Sequence, residues 1–118
     1  MIEVQIARLF FETEPALQES QTPFFRGYVA GLFPDDPIVH NHDHSGKVIY
    51  RYPPVQFKIV YGKAVVVAIK PDGIDALQRI FSVVNELHLQ GNSYPITRKM
   101  MEVTREWFGI SSDPLNYQ

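Results

Sequence analysis

Residues 55–69 read VQFKIVYGKAVVVAI, two apolar runs that are joined by a Tyr-Gly-Lys turn at 61–63. The second run, Ala64–Ile69, is almost wholly β-branched or small, which is typical of a central strand covered on both faces. Pro53 and Pro54 precede the first run, and two adjacent prolines cannot both donate to a sheet ladder. The stretch therefore predicts a β-hairpin whose first strand is bent and lies at the edge of a sheet.

Helical periodicity flanks this hairpin on both sides. Apolar residues at i, i+4, i+7 and i+8 from Phe25 predict a first helix over residues 23–33, which Pro34 ends. A longer apolar stripe from Ile74 to Leu87 predicts a second helix over residues 73–89, followed by a glycine as its C-terminal cap. Both helices are expected to bury one apolar face.

The order strand, helix, strand, strand, helix, strand is that of the ferredoxin-like fold, which RNA-recognition modules share. We therefore predict an α+β two-layer sandwich, with both helices on one face of a four-stranded antiparallel sheet. The predicted strands cover residues 2–11, 47–60, 64–70 and 95–107. We expect one domain over residues 1–110 and a polar tail over residues 111–118.

Composition narrows the classes of protein to which the chain can belong. Its 118 residues are 45% hydrophobic and 20% charged, which suits one domain with a packed core. The chain has no cysteine, and this excludes a disulfide framework and a thiol nucleophile. Its net charge of −2 means that nucleic-acid binding would depend on a local basic patch. No apolar run approaches the ~18 residues that a membrane span needs, and the N-terminus lacks the basic start and apolar stretch of a signal peptide. We therefore expect a cytoplasmic protein without membrane contact.

A histidine-rich segment, IVHNHDHSGK, covers residues 38–47. His40, His42 and His44 alternate, so they would project to one side of an extended chain. Because imidazole titrates near neutral pH, one interpretation is acid–base catalysis on a phosphodiester, with Lys47 stabilising the charged transition state. A second is a metal site formed by these histidines with Asp43. A third is a solvated polar loop, and the segment alone does not choose among the three.

Three short motifs surround or belong to this segment. They are Arg26-Gly27-Tyr28, His40-Asn41-His42 and the stretch YRYPPVQFK at residues 50–58. In this order and at this spacing they resemble motifs of the CRISPR-associated repeat-processing endoribonucleases of the Cas-six type. The similarity runs from about Phe24 to Ile69, and the helix over 73–89 also fits the first domain of that family.

The resemblance implies metal-independent cleavage of CRISPR repeat RNA, without a cofactor and with the ribose 2′-hydroxyl as the internal nucleophile. It implies that a histidine, helped by a tyrosine and a lysine, moves the protons. In this sequence the histidine is His40 or His42, the lysine is Lys47, and the tyrosine is Tyr28 or Tyr50.

The expected RNA-binding residues are basic and lie among aromatic side chains that can stack on unpaired bases. They are Arg26, Arg51, Lys58 and Lys63. The family also has a second ferredoxin-like domain with a glycine-rich loop, and these 118 residues show no such loop. We therefore expect a partner chain that supplies that domain, or a homodimer that covers the edge strand. A non-catalytic RNA-binding or assembly module and a metal-binding regulatory domain stay as alternative functions.

Overall fold

The computed structural model describes residues 2–40 and 54–108. The predicted start of the second strand and the predicted tail therefore lie outside the described residues. The elements in chain order are β1 (Ile2–Thr13), a 3-10 turn (Glu19–Gln21), α1 (Thr22–Leu32), α2 (Pro37–His40), β2 (Val55–Val60), β3 (Lys63–Ala68), α3 (Pro71–Val83), β4 (Glu86–Leu89) and β5 (Asn92–Phe108).

The strands form one antiparallel sheet in the order β2-β3-β1-β5-β4. β2 is an edge strand and β3 lies between β2 and β1, as the hairpin sequence predicts. In register, Phe10 of β1 lies opposite Val65 of β3 and Met100 of β5. The order of β5, β1, β3 and β2 is consistent with the predicted ferredoxin-like arrangement.

One face of the sheet packs against α1 and α3 and forms the core. Leu9 and Phe11 of β1 are fully buried there, together with Phe25 of α1 and Leu77 of α3. Alternate residues point to the opposite side, which no helix within the described residues covers, so β3 has a helical layer on one face and not on both as its apolar sequence predicts. We call the uncovered side the open face. Its residues include Arg8, Phe10, Glu12, Lys58, Val60, Lys63, Val65, Arg98, Met100, Glu102 and Glu106.

The sheet has five strands, so the prediction of four is wrong. The predicted helix over 73–89 ends at Val83, and residues 86–89 form β4, which pairs with β5. Strand geometry lets Leu87 and Leu89 point to the core together, whereas a helix would place them on different faces. Leu87 continues the helical stripe through Val84 and also alternates with Leu89 as in a strand, so periodicity alone does not decide where the helix ends.

The turn between β4 and β5 confirms this reassignment. Gln90 and Gly91 both have positive φ, 54° and 81°, as in a tight hairpin turn. Gly91 is therefore a turn residue and not the cap of a longer helix.

Within the described residues, no helix is long and apolar enough to cross a membrane.

Candidate functional site

His40 is the last residue of α2, a helix of four residues that Asp36 precedes. Asp36 Oδ1 accepts hydrogen bonds from the amides of Ile38 at 3.0 Å and Val39 at 3.3 Å, so this carboxylate caps the helix N-terminus. The backbone amide of His40 then donates to the carbonyl oxygen of Asp36 at 3.2 Å. Asp36 thus fixes the local backbone that presents His40.

Two further contacts hold this segment against the rest of the domain. Arg79 of α3 lies 2.6 Å from Asp36 Oδ2, so the capping carboxylate also joins α2 to α3. The Nε2 atom of His40 lies 3.0 Å from the carbonyl oxygen of Phe33. Because a carbonyl oxygen only accepts hydrogen bonds, Nε2 carries the proton in this contact and the ring orientation is set.

Tyr28 lies on α1, half-buried, with its ring centroid 5.6 Å from that of His88. The predicted helix over 73–89 would include His88, but the structure places it on β4 beside this tyrosine. The Nε2 atom of His88 lies 2.9 Å from Glu86 Oε1, and Ser93 Oγ lies 3.4 Å from Glu86 Oε2. The structure therefore adds His88 and Glu86 to the surroundings of a predicted site residue.

The protonation of Tyr28 and Glu86 follows from this arrangement. Burial raises the pKa of Tyr28, and the negative charge of Glu86 raises it further. The hydrogen bond from His88, and then the charge of His88, lower the pKa of Glu86. At neutral pH Tyr28 is thus a phenol that can donate a proton or a hydrogen bond, and Glu86 is a carboxylate.

The predicted RNA-binding residues within the described part of the chain lie on two sides of the sheet. Arg26 is exposed on α1, in the helical layer, whereas Lys58 and Lys63 are exposed on the open face. Lys63 Nζ lies 3.0 Å from Glu12 Oε1. The open face also contains Arg98, which sequence reasoning missed, although the alternation of β5 places it on the same side as Met100.

Several predicted site residues lie outside the described residues. They are His42, His44, Lys47, Tyr50 and Arg51. Among residues 2–40 and 54–108, no three histidine, aspartate or glutamate side chains are placed to share a metal ion. The metal site that includes His40, His42 and His44 is therefore not tested by this finding.

Two comparisons with known proteins give matches. A family model described as the Cas6b N-terminal domain matches residues 2–107. A crystal structure of Cas6b superposes with a TM-score of 0.79 and 28% sequence identity, covering 92% of this chain and 49% of that chain. This chain thus spans about half the length of the Cas6b chain in that structure. No curated protein matches the chain.

Proposed function

The chain belongs to the Cas6b N-terminal domain family, and on this premise we propose that it is a CRISPR-associated domain that processes repeat RNA. The observation that supports this function best is the placement of His40, a histidine of the family-like motif, at the end of a capped and anchored helix. The same premise supports RNA as the ligand.

The proposed reaction uses the RNA itself as nucleophile and therefore needs no metal. A base removes the proton of the ribose 2′-hydroxyl, whose oxygen then attacks the adjacent phosphorus. The bond from phosphorus to the 5′-oxygen breaks, and an acid protonates that leaving oxygen. The products are a 2′,3′-cyclic phosphate and a 5′-hydroxyl. In this proposal His40 and His42 share the two proton transfers, and Lys47 stabilises the charge on the phosphoryl oxygens.

The contacts of His40 support a role in proton transfer. A catalytic group contributes most when its position is fixed before the substrate binds, because no ordering is then needed in the transition state. Asp36 sets the backbone at His40, Arg79 holds Asp36, and the carbonyl of Phe33 orients the ring. All three contacts exist without RNA.

Tyr28 and Tyr50 are the further candidates for the proton transfers. The raised pKa of Tyr28 favours donation, to a phosphoryl oxygen or to the leaving 5′-oxygen, over removal of the 2′-hydroxyl proton. Because His40 and His42 make the two proton transfers in this proposal, we assign Tyr28 the role of hydrogen-bond donor to a phosphoryl oxygen. It becomes the candidate acid for the leaving 5′-oxygen if the histidines prove dispensable.

Arg26, Arg51, Lys58 and Lys63 are the proposed phosphate contacts, and we propose that Arg26 donates two parallel hydrogen bonds from its guanidinium. Because Arg26 and Lys58 lie on opposite faces of the sheet, an RNA that reaches both must pass an edge of the sheet. This chain covers 49% of the solved Cas6b chain. We therefore propose that a second ferredoxin-like domain contributes further RNA contacts.

The test is cleavage of a labelled CRISPR repeat RNA in excess EDTA. The wild-type chain, His40→Ala, His42→Ala and the double variant are compared, with the second domain added as a separate chain in one arm. Proton transfer by a positioned side chain typically contributes ~10²–10⁴-fold, so the double variant should lose at least that factor while still binding RNA. His44→Ala is the matched control from the same segment and should cut at the wild-type rate.

Each alternative has its own outcome. Cleavage that EDTA abolishes, and that His44→Ala also impairs, would point to the metal site. Undiminished cleavage by the double variant would exclude both histidines and leave Tyr28 and Tyr50. Binding without cleavage, even with the second domain present, would show a non-catalytic RNA-binding module.

A further inference from the structure

The open face contains a cavity of about 210 Å³ at the end where β2 and β3 turn. Phe10, Val65 and Met100 lie side by side on three adjacent strands and line it. Tyr61, in the turn, also lines the cavity and is 96% exposed. An almost fully exposed aromatic side chain next to an apolar cavity suggests a surface that stacks against a ligand.

Positive charge collects at the same end of the open face. Lys63 and Arg98 line the cavity, and Lys58 lies opposite Val65 in the sheet register. Glu12 is the one acidic residue that lines the cavity, and Lys63 pairs with it at 3.0 Å. Among the described residues, no acidic partner is found for Lys58 or Arg98.

At the opposite end of the open face, negative charge exceeds positive charge. There Arg8 lies between two carboxylates, 3.8 Å from Glu102 and 3.7 Å from Glu106. The face is thus polarised along its strands, positive at the cavity and negative away from it. An anionic ligand would be attracted to the cavity end only.

We propose that this cavity binds one unpaired nucleotide of single-stranded RNA, with its base against Tyr61 and the apolar floor and its phosphates near Lys58, Lys63 and Arg98. The proposal rests on the proposed function in taking RNA as the ligand. An apolar floor beside an exposed aromatic ring suits the flat face of one base. A partner helix, about 10 Å across, would not enter the cavity. The cationic rim favours a polyanion over an apolar peptide.

Fluorescence anisotropy with a labelled oligouridine of about 12 nucleotides, a length suited to single-strand binding domains, tests the proposal. Tyr61→Asn removes the ring and suits the positive φ of 50° at this turn, so the fold is retained. Loss of one stacked base should weaken binding roughly 5- to 150-fold. Tyr61→Phe retains the stacking surface and should bind as the wild type does.

A second variant tests the charge. Arg98→Ala should reduce the slope of log Kd against log salt concentration by about 0.7, the value for one phosphate contact on a single strand. Arg105→Ala is the matched control, because Arg105 is an exposed arginine of the same strand on the other face. It should leave the slope unchanged. A duplex of the same length should bind more weakly than the single strand, because its bases are paired.

The outcomes separate this proposal from the proposed function. Wild-type affinity and salt slope in both Tyr61→Asn and Arg98→Ala would overturn the nucleotide site, while cleavage dependent on His40 and His42 could still stand. If the wild type is a dimer by light scattering and Tyr61→Asn is a monomer with unchanged RNA affinity, the surface binds a second copy and the proposal is wrong.

Discussion

At the scale of single residues, three side chains from two elements lie in contact around one carboxylate. Tyr28 is on α1, whereas Glu86 and His88 are on β4, almost sixty positions later in the chain. Glu86 interacts with both neighbours, since it accepts a hydrogen bond from His88 and raises the pKa of Tyr28. A change at Glu86 should therefore be measurable at Tyr28.

Glu86→Gln should lower the pKa of Tyr28, because removing a negative charge favours the phenolate. The pKa should stay above the ordinary value for tyrosine, since burial is the larger cause of the shift. Ultraviolet titration of phenolate, with and without Tyr28→Phe in each background, isolates this one tyrosine. Glu102→Gln, on the open face, is the control. An unchanged titration in Glu86→Gln would contradict the assigned electrostatic contact.

At the scale of elements, the end of α3 is set by a residue from a distant strand. Lys99 of β5 donates from Nζ to the carbonyl oxygens of Phe81 at 2.6 Å and Val84 at 2.9 Å, and to Asn85 Oδ1 at 3.1 Å. A cation at this position also interacts favourably with the helix dipole. The ammonium of Lys99 also lies 5.0 Å from the ring centroid of Phe81. These contacts fix the change of direction from α3 into β4.

Lys99→Met retains most of the aliphatic length and removes the charge and all three donors. The free energy of unfolding should fall by about 1–3 kcal/mol, because hydrogen bonds to a charged group are lost and carbonyls lose their partner. Urea denaturation measures the change. Arg105→Met, an exposed cation on the same strand, should alter stability by less than about 0.5 kcal/mol. Equal effects of the two substitutions would argue against a capping role for Lys99.

At the scale of the whole molecule, the helical layer meets the sheet at Gly73 with no room for a side chain. A Cβ atom at this position would lie 2.4 Å from the carbonyl oxygen of Pro54 and 3.0 Å from the Cβ of Ala68. The first of these atoms is backbone and cannot move without shifting the start of β2. Only glycine lets α3 begin this close to β2 and β3.

Gly73→Ala should therefore lower the free energy of unfolding, with overpacking of about 1–3 kcal/mol outweighing the usual gain of alanine in a helix. Gly27→Ala is the matched control, since a Cβ there meets nothing within 4 Å. That substitution should raise stability by up to about 1 kcal/mol. The two midpoints of urea denaturation should move in opposite directions, and a stabilised Gly73→Ala variant would refute the close contact.

Local patterns predict much of this architecture. The turn at 61–63, the apolar stripe from Phe25 and the alternation at the start of β1 each lie within one element, so the two strands of the hairpin, α1 and β1 follow from short-range order. The motif around His40 likewise lies in a continuous stretch. The strand at 86–89 does not follow, because Leu87 fits the helical stripe and the strand alternation alike, and the pairing with β5 decides between them.

By itself, then, the sequence determined the element types wherever one period dominates, the edge position of β2, and the family to which the motifs point. Tertiary structure alone decided that Arg26 and Lys58 lie on opposite faces, that His88 reaches Tyr28, and that Phe10, Val65 and Met100 form one surface. The physical reason is the separation in sequence over which each feature is determined. A period is set by backbone geometry over a few neighbouring residues, whereas a shared surface depends on the register of strands that are tens of residues apart.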